Sequence, residues 1–297
     1  MSSWQTPMSG NLSSLVQWVE PRFERLSDGI DMISGLFPPG VTAFQTTRSG
    51  GASIGAYASF NLASHVGDRE ESMLQNRNRL EKCCATKPVW LEQIHGARVL
   101  ELDSPDDRAG PMPAADAALT GQPGHAAAVM TADCLPILVS LTQLPCVLAI
   151  HAGWRGLAAG VIEAGLQAVA TRLRGPDQWS IWLGPCIGPD SYEVGREVRE
   201  VFLDQSPQAG VAFRESPTKA GKFYADLRAL AQQRILRWFE LHPEVLLTGE
   251  SEIGAHVRPI RIGINSECTY QDQSRYYSFR RESVTGRMAS LIALKPI

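Results

Sequence analysis

Val147-Leu-Ala-Ile-His-Ala-Gly-Trp-Arg-Gly156 decides how the chain is read. The run Cys146 to Ile150 is apolar throughout, as a buried strand is, and it delivers His151 at its C-terminal end. Gly153 and Gly156 then break the extended pattern, and Leu157 to Leu173 repeats Ala, Val, Ile and Leu at helical spacing. The stretch at 152–156 is therefore a strand-to-helix junction. Two other stretches carry a metal-ligating residue in an unusual local sequence. These are Trp90-Leu-Glu-Gln-Ile-His-Gly96 and Val129-Met-Thr-Ala-Asp-Cys-Leu-Pro136. Together His95, Cys134 and His151 offer two imidazoles and a thiolate, a donor set suited to Zn²⁺. Three protein ligands leave a fourth position for water or substrate, the catalytic arrangement.

Composition bounds the class. The 297 residues are 44% hydrophobic and 20% charged, with 26 Gly and 19 Pro, which describes an ordinary globular protein. A formal charge of −3 gives no reason to expect nucleic acid as a partner. No apolar run approaches the roughly 20 residues of a membrane helix; the stretch Ala126 to Ile150 is broken by Asp133, Pro136 and Pro145. The six cysteines are scattered apart from adjacent Cys83 and Cys84, and no secretory segment precedes them, so a cytoplasmic location is expected. Residues 1–30 read as an extension and 31–297 as one domain.

Along the chain, short β-type runs alternate with amphipathic helical stretches, an α/β pattern. Val41 to Thr47 reads as a strand opening into the Gly-rich turn Arg48-Ser-Gly-Gly-Ala-Ser-Ile-Gly55. Glu70 to Cys84 reads as a helix with Asn76, Arg77 and Asn78 on its exposed side. Trp179 to Leu183 and Ala289 to Leu294 read as strands and Leu227 to Leu241 as a helix. His242 to Ile264 looks like a variable excursion. The helix start at 153–156 offers unpaired N–H groups to an anion, with Arg155 beside it. Arg48, next to Gly50 and Gly51, is a second candidate cation for a phosphate or carboxylate.

The ordered series Thr47-Arg-Ser-Gly-Gly51, Ser59-Phe-Asn-Leu62, His65-Val-Gly-Asp68, Leu91-Glu-Gln-Ile-His-Gly96, Ala115-Asp-Ala117, Thr131-Ala-Asp-Cys-Leu-Pro136, His151-Ala-Gly-Trp-Arg-Gly156, Gly184-Pro-Cys-Ile-Gly188, Tyr192-Glu-Val-Gly195, Cys268-Thr-Tyr270 and Ser278-Phe-Arg-Arg281 resembles the laccase-domain, YfiH-like family. Its members are also called polyphenol oxidases or purine nucleoside phosphorylases. The resemblance spans about Thr46 to Leu294. It implies a layered α/β/β/α-type sandwich with mixed sheets, similar to Cys–His toxin deamidases, and a Zn²⁺ held by His95, Cys134 and His151. It also implies phosphorolysis of adenosine, inosine and 5′-methylthioadenosine, with deamination of adenosine. Nucleosides and phosphate are then the small-molecule partners, and Arg48 and Arg155 the phosphate contacts. Copper is the alternative ion, from the older naming.

Taken singly, a His at a strand end is more often a hydrogen-bonded rim residue, and a cytosolic Cys a small packed hydrophobe. Cys83, Cys84, Cys146 and Cys186 are read as packing residues, Cys268 as structural, and His65 as fixing a loop. Asp133 interrupts an apolar run and is a candidate to orient a ligand imidazole. Gln93 lies two residues from His95, on the same face if the segment is a strand, and is a candidate substrate contact. A competing reading makes Cys134 the nucleophile and His151 the base of a Cys–His hydrolase. Copper phenol oxidation ranks below both, because the chain has only six His and multicopper sites need many. A non-catalytic binding protein is the remaining alternative.

Overall fold

The computed structural model describes residues 15–104, 112–248 and 256–296. Residues 1–14 of the segment read as an extension lie outside them. The first strands are β1 (Val16–Val19), β2 (Arg22–Ser27), β3 (Ile30–Ser34) and β4 (Val41–Thr46), followed by helix α1 (Glu70–Cys84). Then come β5 (Lys87–Val89), β6 (Val99–Glu101), β7 (Ala117–Thr120), β8 (His125–Thr131), β9 (Leu135–Leu141) and β10 (Val147–Ala152). Helices α2 (Trp154–Ala158) and α3 (Val161–Ala170) lead to β11 (Trp179–Leu183), β12 (Glu193–Gly195) and α4 (Arg196–Gln205). The chain closes with β13 (Phe213–Glu215), β14 (Lys222–Ala225), α5 (Leu227–Leu241), β15 (Leu247–Thr248), β16 (His256–Val257), β17 (Ile260–Ile264) and β18 (Met288–Leu294).

Two mixed sheets carry the fold. One has the order β1-β17-β11-β9-β10-β7-β6 and the other β2-β3-β4-β18-β8-β5. Strands β9, β10 and β18 are buried at every position, in keeping with their predominantly apolar sequences and with strands covered on both faces. Side-chain alternation then assigns the layers. Val147 and Ala149 of β10, Leu138 of β9, Val129 of β8 and Ile292 of β18 pack between the sheets. Leu148 and Ile150 of β10 face the other way, into a core with α3 and α5. On the far side, Leu80 and Cys84 of α1 pack on Ala126 and Ala128 of β8. The result is the layered α/β sandwich with mixed sheets that the resemblance implied. No helix among the described residues is long and apolar enough to cross a membrane.

Several local readings need correction. Residues 16–27, set apart in the sequence, supply an edge strand to each large sheet. The 242–264 stretch is no simple excursion: β17 lies between β1 and β11, pairs with both in parallel, and buries Ile260 and Ile262 completely. The expected helix from Leu157 to Leu173 is interrupted at Gly160, whose φ of +86° only glycine adopts readily. Asn76 is buried rather than exposed. Its Oδ1 accepts the Ala52 N–H at 2.7 Å, and its Nδ2 donates to Ser53 Oγ and the Asn61 carbonyl, each at 2.9 Å. One polar residue within the polar run Gln75-Asn-Arg-Asn-Arg79 gives no sign in sequence that a loop will fold over it.

Because Asn76 satisfies several buried groups at once, Asn76→Ala is expected to destabilise the protein by about 2–3 kcal/mol in chemical denaturation. Asn78→Ala, two residues along and exposed, should change stability by less than about 0.5 kcal/mol. Equal effects would show that the Asn76 network contributes nothing.

Candidate metal centre

The centre is built from a cross-strand pair. Beyond the Ile150–Ala117 pairing of β10 and β7, the next residues opposite each other are His151 and Asp116, and the His151 N–H donates to the Asp116 carbonyl at 2.7 Å. Their side chains meet as well, with His151 Nδ1 2.9 Å from Asp116 Oδ1. The same carboxylate accepts the backbone N–H groups of Ile94, His95 and Gly96 at 3.2, 2.9 and 2.7 Å. Residues around His95 therefore form a tight turn, so the strand condition for Gln93 and His95 sharing a face is not met, and His95 itself is left-handed at φ +59°. That conformation costs on the order of 1 kcal/mol or more outside glycine and persists because Asp116 grips three successive amides. Burial would raise the Asp116 carboxyl. Hydrogen bonds from His151, Gly96 and His95, with the His151 charge, outweigh it and hold the group below the usual carboxylate range.

Cys134 immediately precedes β9 and shares the strand parity of Leu138, so it projects between the sheets, as His151 does from β10. Ligand atoms of His95, Cys134 and His151 all lie within 4.8 Å of one another. The two imidazoles stand nearly edge-on, with centroids 4.9 Å apart at 80°. Burial would raise the Cys134 thiol, but the charge and hydrogen bond of His151, and then the contact with His95, bring it well below its ordinary value. His151 moves upward: burial lowers it, and the Cys134 and Asp116 interactions more than reverse that. The thiolate form that a soft or borderline metal needs is thus favoured. Gly153 fits the ligands tightly. A Cβ there would lie 3.0 Å from Cys134 Sγ and 3.1 Å from His95 Cδ2. Among the described residues this is the one cluster of three or more His, Cys, Asp or Glu side chains able to share an ion, and its spacing and donor types fit a bound Zn²⁺.

The cluster opens into a cavity of about 220 Å³, also lined by His65, Gln93, Met130, Phe279 and Arg287. Gln93 reaches this wall, but its amide pairs with the Met130 backbone in both directions at 2.8 Å, so it fixes β8. Arg48 and Arg155 are not among the lining residues. Arg48 donates to the Ala58 and Gln273 carbonyls, approaches Glu282 at 3.8 Å and stacks on Tyr277. Arg155 is exposed and covers the Trp154 ring. Asp133 does not touch the imidazoles. It accepts from Thr269 Oγ1 and from the Arg280 N–H, each at 2.7 Å, bracing the Cys134 turn. The imidazole partner is Asp116, whose signal was a lone acid inside the apolar Ala115-Asp-Ala117. Cys268 accepts the Gly188 N–H at 3.1 Å and Cys186 is fully buried, both in structural positions.

Residues 42–295 match the family described as multi-copper polyphenol oxidoreductase laccase. The chain belongs to that family. Within this laccase family it is 40% identical over 259 residues to the purine nucleoside phosphorylase YfiH of Escherichia coli (strain K12), covering 86% of this chain and 95% of the relative. It is also 40% identical over 259 residues to the purine nucleoside phosphorylase PA4543 of Pseudomonas aeruginosa, covering 87% of this chain and 95% of that one. Among solved structures, it is similar to the Neisseria meningitidis protein NMB0706, with a TM-score of 0.76 and 35% identity. That match covers 90% of this chain and 100% of the other. YlmD from Geobacillus stearothermophilus superposes with a TM-score of 0.78 at 27% identity, covering 92% and 99%.

The space at Gly153 makes a sharp prediction. Its φ of −71° is open to alanine, so Gly153→Ala should fold normally while pushing Cys134 and His95 apart. Zn²⁺ affinity, measured against a competing chelator, should fall by about tenfold or more. Wild-type affinity would show that the ligands do not depend on this close approach.

Proposed function

We propose that the chain is a metal-assisted purine nucleoside phosphorylase. It would convert adenosine, inosine and 5′-methylthioadenosine with phosphate to the free base and the ribose or methylthioribose 1-phosphate. At the same centre it would deaminate adenosine to inosine. The observation that carries the reading is the opening of the His95–Cys134–His151 cluster into a lined cavity, with relatives that bear the phosphorylase name as support. Those three residues would hold Zn²⁺, with copper the alternative ion. When bound, such an ion supplies Lewis acidity to an oxygen or nitrogen in the cavity. The cytoplasm is the proposed compartment, where all six cysteines, free in this structure, persist as thiols.

The chain's own residues then divide the work. Asp116 fixes the His151 ring through Nδ1, which turns Nε2 toward the centre. Met130, Ala132 and the ring of Phe279, 54% exposed, give a purine an apolar face and an aromatic edge. Desolvation at the wall, then the charges of Arg287 and Arg77, push the His65 imidazole downward. In its neutral form it can donate one hydrogen bond and accept another from a ribose hydroxyl.

One observation favours a second reading. Asp116, His151 and Cys134 are connected in the order of an acid–base–nucleophile relay, with the thiol lowered and the imidazole raised, as a Cys–His hydrolase requires. Copper-dependent phenol oxidation has less support, because the described residues offer a single three-ligand cluster.

Chromatography of adenosine with metal-analysed protein, with and without phosphate, separates these. Phosphorolysis predicts phosphate-dependent adenine, and deamination predicts inosine without phosphate. Each should be abolished by His95→Ala, Cys134→Ala, His151→Ala or chelation. Unchanged adenosine with a zinc-loaded sample contradicts the proposal, and a hydrolytic activity that survives chelation but not thiol alkylation establishes the second reading.

A further inference from the structure

The arginines around the centre are nearly all committed. Arg275 pairs with Asp31 and Glu267, Arg281 with Glu282, and Arg280 donates to the Glu193 carbonyl at 2.7 Å. Arg287 differs. It lines the cavity directly and, among the described residues, no carboxylate lies within ion-pair distance of it. Its Nη1 donates to the Thr285 and Gly286 carbonyls at 2.9 and 3.0 Å, and Nε and Nη2 have no hydrogen-bond partner among these residues.

The side chain is also held in place. Its backbone N–H donates to Asn61 Oδ1 at 3.0 Å, and its carbonyl accepts the Leu62 N–H at 3.3 Å. Asn61 in turn is anchored by the buried Asn76. The guanidinium lies 5.7 Å from the Phe279 ring centroid. Burial works against its charge, yet a guanidinium stays ionised in proteins. A desolvated cation with two adjacent free donors is complementary to an oxyanion, which it can bind through both.

We propose that Arg287 is the anion-binding residue of the cavity and receives a phosphate oxyanion beside the metal centre. Of the two arginines that sequence alone suggested, Arg48 has its guanidinium occupied elsewhere, and Arg155 lies exposed and outside the cavity lining. The inference rests on the nucleoside reading for the identity of the second ligand. The phosphate has two sources, free inorganic phosphate or the 5′-phosphate of a nucleotide.

Calorimetric titration of zinc-loaded protein with inorganic phosphate, and separately with inosine 5′-monophosphate, tests the assignment. Arg287→Gln should weaken phosphate binding by about tenfold or more, and Arg287→Lys should fall between it and wild type. Both variants should keep wild-type Zn²⁺ content, and in turnover the phosphate KM should rise while the nucleoside KM stays within about twofold. If free phosphate does not bind but the nucleotide does, and Arg287→Gln loses it, the anion site stands with the nucleotide as its source. If either ligand binds Arg287→Gln as it binds wild type, or neither binds wild type, the assignment is overturned. Base release by wild type with phosphate is scored separately, so failure of phosphorolysis and failure of the Arg287 site remain distinct.

Discussion

Asp116 sets the candidate centre by serving two histidines from different parts of the chain. Its carboxylate takes the His151 ring nitrogen on one side and three consecutive amides of the His95 turn on the other. A buried unpaired carboxylate costs several kcal/mol in lost hydration, and here four donors offset that loss. The same contacts fix the His151 tautomer and hold His95 in a conformation it would not otherwise keep. Without this carboxylate the two imidazoles would have no common reference. Cys134 would still leave the end of β9 at the right parity, but with nothing to meet.

The sandwich explains why the centre lies where it does. His151 and Cys134 project from the seven-stranded sheet into the space between the layers, at the end where the apolar filling of Leu138, Val147 and Ala149 stops. The opposing wall comes from the six-stranded sheet. Met130 and Thr131 end β8, and Met288 of β18 pairs with Thr131, which places Arg287 next to the cavity. His151 and Cys134 thus approach the cavity from one sheet, and Arg287 from beside the other. Their separation is set by the thickness of the core, a rigid quantity in a close-packed interior.

Much of this was legible in sequence because it follows from periodicity. The apolar runs of β10 and β18 and the helical spacing of α1 and α5 gave elements close to those observed. The His95–Cys134–His151 cluster was legible because each of the three residues sits beside Gly, Pro or an apolar run. What sequence did not carry were contacts made by folding distant segments together. Asn76 is buried by a loop more than a dozen residues away in the chain, β17 enters the seven-stranded sheet next to its edge strand from a stretch that looked like a variable excursion, and Gln93 pairs with the backbone of β8. Arg48 and Arg287 look alike in sequence, each within two residues of a glycine. Only the fold shows that one guanidinium is occupied and the other faces a cavity.

The central claim is that one carboxylate organises both imidazole ligands, and Asp116→Asn tests it most directly because the amide keeps the shape and loses the charge. Zn²⁺ affinity of the folded variant, measured by competition with a calibrated chelator, should drop by about 10–100-fold. A folded Asp116→Asn protein that binds Zn²⁺ as tightly as wild type would contradict the account.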